Sequence, residues 1–286
     1  MTIVSTVAHG QARLIDAGIP PEAARIDAEV LARHVLGWDR ATYVSECHRP
    51  VDRAFDTRYA ALITRRVGRE PVAHLVGYRE FWGLELAVTP DVLIPRPETE
   101  LVVETALRLR SARPGDFLLA DVGTGSGCLA IALATEFPAA RVIATDMSAA
   151  ALDVAQANAA RHGVADRITW YHGRDLAGAP RPVDLIVSNP PYVQAAAIDA
   201  LAPEVRDHEP RIALNGGPDG TVALRAVIAD ADGALAPDGD LIVEFGSDQE
   251  SAFRKIIAGT GLRVTRVVLD LQGLARVGVA ARRRSS

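Results

Sequence analysis

The sequence predicts an α/β protein: a doubly wound, mostly parallel Rossmann-like sheet with an antiparallel terminal hairpin, behind a small N-terminal helical bundle. Three observations carry this prediction. Residues 1 to about 70 show apolar residues at helical spacing and nothing of strand character. From Phe117 onward, apolar runs of strand length alternate with helical stretches, the pattern of βα units around a parallel sheet. The first of those runs breaks into Gly123-Thr124-Gly125-Ser126-Gly127 and then a helix, as nucleotide-binding α/β units do.

Taken in order, residues 6–17 form a first helix that stops at Gly18 and the Pro20-Pro21 pair. Residues 22–36 repeat the spacing through Ile26, Val30, Leu31, Val35 and Leu36, then end at Gly37. A third helix is expected over residues 40–47. Asp52 is a good N-cap for a fourth, which runs through Tyr59, Leu62 and Ile63 to Gly68. Charges are mixed along these helices, as on the solvated faces of a bundle, and no ligand-shaped motif lies among them. The expected plan is a substrate-docking domain over 1–70, a hairpin linker over 71–97 and the α/β domain over 98–286.

The linker runs from Pro71 to Gly83 into residues 84–88, which alternate like a half-exposed strand. Ile94-Pro95-Arg96-Pro97 is a proline-stiffened loop, and Glu98 and Glu100 fall in the first turn of a helix continuing to Leu109. Helix-start chemistry alone accounts for those two acids; a loop edging the active site accounts for them equally. The α/β domain then gives a strand to Val122, a helix over Cys128–Glu136, a strand over 141–145, a helix over 149–161 and a strand over 167–171. A strand through Leu185, Ile186 and Val187 ends at Asn189. Gly216-Gly217-Pro218-Asp219-Gly220 turns into a helix over 221–235, and Pro237-Asp238-Gly239 is the next turn. Residues 240–245 are a strand with Glu244 near its end, residues 249–258 a helix, and 263–269 with 275–281 the terminal antiparallel pair. Arg282-Arg283-Arg284 is expected to be a solvated tail.

Two stretches carry chemistry. The glycine turn is Gly-x-Gly-x-Gly, not the Gly-x-Gly-x-x-Gly that seats a pyrophosphate on a helix N-terminus. Its strand ends in Asp121, which would repel a pyrophosphate but suits the amino end of a zwitterion. Asp146, at the end of the next strand, stands where a carboxylate accepts from ribose hydroxyls. Asp175, in the loop after the third strand, is placed to accept from an adenine amino group or to stay on the surface. S-adenosylmethionine has ribose hydroxyls, a zwitterionic end, a cationic sulfonium and no phosphate; it fits better than NAD.

The second stretch is Ser188-Asn189-Pro190-Pro191-Tyr192. A residue before proline is pushed out of the helical region, so Asn189 is extended, with its amide at the strand's carboxyl end. Prolines bring no N–H to compete for acceptors. The corner offers the Asn189 side-chain carbonyl, the Pro190 main-chain carbonyl and the flat Tyr192 ring. Two acceptors beside a flat wall suit a planar NH2 group. Adenine N6, cytosine N4 and a glutamine amide all qualify, and an ordinary strand-ending turn has the same residues.

Composition narrows the class. The 286 residues suffice for two domains, and 49% hydrophobic with 23% charged content is that of a globular protein. No apolar run approaches the roughly 18 residues that span a bilayer, and Met1-Thr2-Ile3-Val4 opens no secretory signal, so no membrane role and a cytoplasmic location are expected. A formal net charge of −5 gives no electrostatic grip on nucleic acid. Cys47 and Cys128 are isolated and the seven histidines scattered, so no metal site is expected.

Four stretches together resemble the peptide chain release factor glutamine N5-methyltransferases: Pro71 to Gly83, Ile94 to Glu100, Asp121 to Gly127 and Asn189 to Tyr192. Asp270-Leu271-Gln272-Gly273-Leu274-Ala275-Arg276-Val277 lends further likeness. The glycine loop is common to many methyltransferases, and Asn-Pro-Pro-Tyr to those acting on conjugated NH2 groups. Pro71 to Gly83 with Ile94-Pro95-Arg96-Pro97 is the specific part. The resemblance implies a monomeric enzyme that uses S-adenosylmethionine to methylate the glutamine of a Gly-Gly-Gln loop in release factors. It implies cofactor contacts from Gly123, Thr124, Gly125, Ser126, Gly127 and Asp146; Asp175 and Asn189 join the expected cofactor contacts by their positions at the strand ends. Asn189, Pro190, Pro191 and Tyr192 would hold the glutamine, the catalytic roles falling to Asn189, Pro190 and Tyr192. Where some members carry a tryptophan beside the adenine, this sequence reads Gly173-Arg174-Asp175-Leu176. The competing readings are an adenine or cytosine amino methyltransferase, an NAD-dependent dehydrogenase and a non-catalytic docking protein on the same fold.

Overall fold

The computed structural model describes residues 1–111 and 115–283. The chain forms two compact units, one of Met1–Tyr78 with Ala202–His208, the other of Arg79–Leu201 with Glu209–Ser286.

The first unit is built from helices α1 (Ile3–Asp16), α2 (Pro21–Leu36), α3 (Arg40–Glu46), α4 (Arg53–Val67) and α5 (Val72–Val76). Side-chain caps start three of them. Thr2 and Ser5 form a capping box at α1, Asp39 accepts from Thr42 N–H at α3, and Asp52 accepts from Phe55 N–H at 2.7 Å at α4. Leu14, Ile19, Leu31, Tyr59 and Ile63 are buried at the centre. Gly10 lets α1 and α4 close up, since a Cβ there would lie 2.4 Å from the Tyr59 hydroxyl. The sequence assigned residues 71–77 to the linker; Pro71 instead starts α5, and Leu75 is buried in the bundle core.

A later piece of chain completes this unit. Helix α9 (Pro203–His208) brings Glu204 to Arg66 Nη2 and Arg69 Nη2, both at 2.9 Å, while Arg66 Nε also reaches Asp27 at 2.8 Å. The Arg66 guanidinium is buried, and with Arg69 it makes two cations against two carboxylates, so the cluster is balanced in charge. Residues 193–215 form short turns with no period of their own, so the sequence by itself assigns them no element.

The second unit opens with a hairpin, β1 (Tyr78–Phe81) and β2 (Leu84–Ala87), whose turn residues Trp82 and Gly83 both have positive φ. After helix α6 (Glu100–Arg110) come β3 (Leu118–Val122), α7 (Cys128–Glu136), β4 (Arg141–Asp146), α8 (Ala149–Arg161), β5 (Ile168–His172) and β6 (Val183–Ser188). Beyond α9 follow α10 (Val222–Ala234), β7 (Leu235–Glu244), α11 (Glu250–Ala258), β8 (Leu262–Leu269) and β9 (Ala275–Arg282). The seven-stranded order is β5-β4-β3-β6-β7-β9-β8. The first five strands are parallel, and β9 runs antiparallel to both its neighbours.

Alternation along the strands sorts the core into two layers. Leu119, Val142, Leu185 and Val187 pack with α6 and α7, while Ala120, Ile143, Ile186 and Val243 pack with α10 and α11. Helix α7 is apolar all round, with Leu129 through Ala134 all buried, as a helix enclosed on every side must be. The sheet reverses its winding at β3, between β4 and β6, so the carboxyl ends of these strands flank the crevice where open α/β sheets bind ligands.

Two predicted features differ. Pro237-Asp238-Gly239 is a bulge inside β7: Val183 pairs with Leu235, and the ladder resumes at Leu185 and Asp240. Gly239 permits it, since a Cβ there would meet the Val183 carbonyl at 2.9 Å. The arginine tail is not free either. Arg282 belongs to β9 and donates to the Asp232 and Leu235 carbonyls, and Arg283 Nε donates to Leu262 O at 2.9 Å. Arg284 lies outside the described residues.

Candidate active site

A cavity of about 330 Å³ opens at the carboxyl ends of β3, β4 and β6. The glycine turn forms its floor. Gly123 N–H and Thr124 N–H both donate to Thr145 O at 2.9 Å, and Gly125 N–H donates to Asp146 Oδ2 at 2.9 Å. Gly127 N–H turns back to Thr124 O. Four amides that a phosphate would need are thus already spent inside the protein. Gly123 and Gly125 have φ of 75° and 55° and open space where a Cβ would stand. A ligand can therefore approach their backbone closely.

Two carboxylates face this floor. Asp121 is 1% exposed, and its Oδ2 accepts from Thr124 Oγ1 at 2.7 Å and from Ala130 N–H at 3.1 Å. Its Oδ1 has no partner. Burial, with a smaller push from Asp146, raises its pKa to about 7. Asp146 holds the turn from the other side, its Oδ1 accepting from Ser148 N–H. Each oxygen of Asp146 retains acceptor capacity toward the cavity. A buried carboxylate oxygen without a donor asks for a cation or a hydroxyl.

The Asn-Pro-Pro-Tyr corner forms one wall. Ser188 Oγ donates to Val122 O at 2.6 Å, pinning the end of β6 to that of β3. Asn189 Nδ2 donates to Thr99 Oγ1 at 3.0 Å, and Thr99 Oγ1 donates to Glu244 Oε2 at 2.7 Å. The Asn189 carbonyl oxygen is thereby turned away from Thr99, free to act as an acceptor. Behind the corner, Gln249 Nε2 donates to the Tyr192 and Gly220 carbonyls at 3.1 and 3.0 Å. Gly216 and Gly220 are glycines for packing: a Cβ on them would meet Pro191 O at 2.8 Å and Tyr192 O at 2.6 Å. The Ile94–Pro97 loop is fastened by buried Glu209, which accepts from Ile94 N–H at 3.1 Å and from Arg96 Nη2 at 2.5 Å.

Of the residues singled out by sequence, Gly123, Thr124, Gly125, Ser126, Asp146, Asn189, Pro190 and Pro191 line the cavity. Three stand off it. Gly127 caps α7 and faces Ile131 and Ala155 of α8. Asp175 caps its own turn, accepting from Ala177 N–H at 2.9 Å, so Gly173 and Arg174 occupy the wall there. Tyr192 is set behind the corner, its phenol pushed up to about 12 by burial and by Glu244. Sequence reasoning missed Thr99, Glu209 and Gln249, which position the others. Glu244 was visible as a strand-end acid, but its contact spans 145 residues and depends on strand order.

A doubly wound sheet with an acid-lined cavity at its reversal point, whose glycine turn spends four amides internally, has the architecture of a Rossmann-like methyltransferase. Similarity to known proteins agrees. Residues 5–77 match the family described as PrmC N-terminal domain and residues 101–207 that described as methyltransferase small domain. Proteins named release factor glutamine methyltransferase are 45% identical over 94% of both chains in Cereibacter sphaeroides and 40% identical over 99% of both in Moorella thermoacetica. The chain belongs to the release factor glutamine methyltransferase family. Among solved structures, the hMettl16 catalytic domain in complex with the MAT2A 3'UTR hairpin 6 superposes with a TM-score of 0.57 at 15% identity, covering 73% of this chain and 80% of that one. A methyltransferase from Pyrococcus furiosus gives 0.51 at 17%, covering 69% and 88%. These two share the fold. No helix among the described residues is long and apolar enough to cross a membrane.

Proposed function

We propose that this chain, acting as a cytoplasmic monomer, methylates the side-chain amide nitrogen (N5) of the glutamine in the Gly-Gly-Gln loop of peptide chain release factors. When bound, S-adenosylmethionine supplies an electrophilic methyl group on its sulfonium. The donor set fits that cofactor: the unpartnered Asp121 Oδ1 suits its ammonium end, Asp146 its ribose hydroxyls, and Gly123 and Gly125 a close, phosphate-free approach. Thr124 and Ser126 complete the turn.

The observation that carries the substrate reading is the Asn189 amide, held by its nitrogen so that its oxygen remains as an acceptor beside the Pro190 carbonyl. An amide nitrogen is a poor nucleophile because its lone pair is shared with the carbonyl. Asn189 Oδ1 and Pro190 O would accept its two N–H bonds and direct its lone pair to the methyl donor, with Pro191 against the amide plane and Tyr192, set behind the corner, stiffening it. Orientation of this kind supplies up to roughly 7–11 kcal/mol in well-aligned cases. The same acceptors strengthen as positive charge grows on nitrogen, which favours the transition state over the ground state. The proton is lost after attack, when the nitrogen has become acidic, so no general base is needed beforehand. The corner also accommodates an adenine or cytosine amino group, but the family and the net charge of −5 favour a protein glutamine.

Tandem mass spectrometry of a release factor incubated with the enzyme and labelled cofactor tests this. Asn189→Ala should lower kcat by about 10²–10³, the loss typical of removing one oriented polar group from a transition-state site, with a smaller change in cofactor affinity. Methyl found on any residue other than that glutamine, or full activity in the variant, would sink the assignment.

A further inference from the structure

We propose that Glu244, acting through Thr99, sets which way round the Asn189 amide points, and so decides whether the site presents an acceptor or a donor to the incoming amide. This rests on the reading of Asn189 as the residue that holds the glutamine. Thr99 and Glu244 are 2% and 1% exposed, and they come from separate parts of the unit: the turn Pro97–Thr99 and the last residue of β7. Ser188 pairs with Val243 across β6 and β7, so the next residues, Asn189 and Glu244, emerge side by side at the strand ends. Thr99 closes the gap between them, 3.0 Å from the one and 2.7 Å from the other.

An asparagine amide has nearly the same shape either way round, so packing alone does not choose its orientation. A hydroxyl has one proton. While Glu244 is ionised it can only accept, and the Thr99 proton is committed to it. The side of Thr99 facing Asn189 then has only lone pairs to offer, which select Nδ2 and leave Oδ1 for the substrate. When Glu244 carries a proton, its carboxyl can donate to Thr99, whose own proton is released to Asn189. The amide then turns its oxygen to Thr99 and its NH2 to the cavity, where two donors face the two N–H bonds of a glutamine.

The charges around Glu244 place this choice in an accessible range. Burial raises its pKa to about 7 and Glu98 pushes the same way, while the Thr99 hydrogen bond, Arg276 and Arg96 pull it down. The Tyr192 phenol and the Cys128 thiol also feel its charge, but both are held near 12 and stay neutral as Glu244 titrates. Thr99 and Glu244 are positioning residues, since neither is required to touch the substrate.

The test measures kcat, KM and cofactor Kd for the full chain with S-adenosylmethionine at saturation and an intact release factor, from about pH 6 to about pH 9. Wild-type kcat should fall on the acid side with an inflection near the Glu244 pKa. Thr99→Val should lower kcat by about 10- to 100-fold, with KM and cofactor Kd within about threefold, and its residual activity should lack that inflection. Thr99→Ser, which keeps the hydroxyl, should recover most of the loss. Glu244→Gln, whose amide can accept from Thr99 or donate to it but cannot titrate, should lose the Glu244 step of the profile and hold a kcat at or below the wild-type value at high pH. Wild-type kcat in Thr99→Val, while Asn189→Ala is inactive, overturns the relay and leaves the Asn189 reading standing. Full activity in Asn189→Ala overturns both. If Thr99→Val does not fold, an acid limb unchanged in midpoint and amplitude in Glu244→Gln overturns the relay by itself, since it then belongs to another group such as Asp121, which is also raised to about 7.

Discussion

Asp121 shows what a ligand site costs a single residue. Its carboxyl is buried with one oxygen unpartnered, and its pKa stands at about 7 against an ordinary 3.8. The folded state therefore binds this proton more tightly than the unfolded chain does. Stability from that proton is fully present below the unfolded pKa and is lost as pH rises through about 7, where the buried group must ionise. Glu244, also raised to about 7, acts in the same sense. Asp121→Asn removes the ionisation and keeps an acceptor for Thr124 and Ala130. Without cofactor, the variant should melt above wild type at about pH 8.5 by an amount on the order of 1–3 kcal/mol, or about 2–4 °C per kcal/mol, and the gap should be roughly halved near pH 5.5 and close only towards about pH 4. The same variant should bind S-adenosylmethionine at least about tenfold more weakly, having lost a charged acceptor. Thermal melts at the two pH values decide it; a gap that does not change with pH would show that the carboxyl's ionisation is not what strains the fold.

At the scale of elements, the glycine turn divides its work between ligand and packing. Gly127 has φ of 84°, and a Cβ there would stand 2.9 Å from Ile131 Cδ1 and 3.1 Å from Ala155 Cβ, wedging α7 from α8. Gly127→Ala should lower stability by about 2–4 kcal/mol, combining overpacking with the left-handed backbone. Gly125→Ala meets open space, so it should cost only the backbone term of about 1–2 kcal/mol while its methyl obstructs the cofactor. Melting temperature and cofactor Kd, measured on both, should move in opposite proportions; a Gly125→Ala protein with unchanged affinity would refute the division. This turn was legible in the sequence because strand, glycines and helix are contiguous and each follows local rules. The Asn189 corner was legible for the same reason, through its prolines. What escaped was non-local. The Pro237-Asp238-Gly239 bulge looks like a turn until β6 is beside it, and Arg282 looks like a tail until its carbonyl partners Asp232 and Leu235 are brought to it. Thr99 lies in the Ile94–Glu100 stretch that carries the resemblance, but nothing in the sequence marks that one threonine for a role; only the strand order joins it to Glu244.

On the scale of the whole molecule, the chain leaves the second unit after Leu201, contributes Ala202–His208 to the helical unit, and returns at Glu209, the residue that fastens the Ile94–Pro97 loop. The helical unit is read as the dock for the release factor. Every ligand-shaped motif lies in the second unit, and a Gly-Gly-Gln loop alone covers far less than the roughly 800 Å² per partner of a specific protein interface. A chain starting at Arg79 removes α1 to α5 and with them Arg66 and Arg69, the two partners of Glu204. If the helical unit serves docking alone, that truncated chain should keep cofactor Kd within about threefold and should still methylate a short Gly-Gly-Gln peptide. Its kcat/KM for an intact release factor should fall by about 10² or more, equivalent to about 3 kcal/mol of lost binding. Truncation also frees residues 202–208, so a second variant is needed to separate docking from the loosening of a segment that leads to Glu209. Glu204→Ala in the full chain releases that segment and keeps α1 to α5. With docking as the cause, Glu204→Ala should retain most of its activity on the intact factor. Should it lose as much as the truncated chain, or should the truncated chain methylate the intact factor as fast as the full one, the helical unit is not the dock.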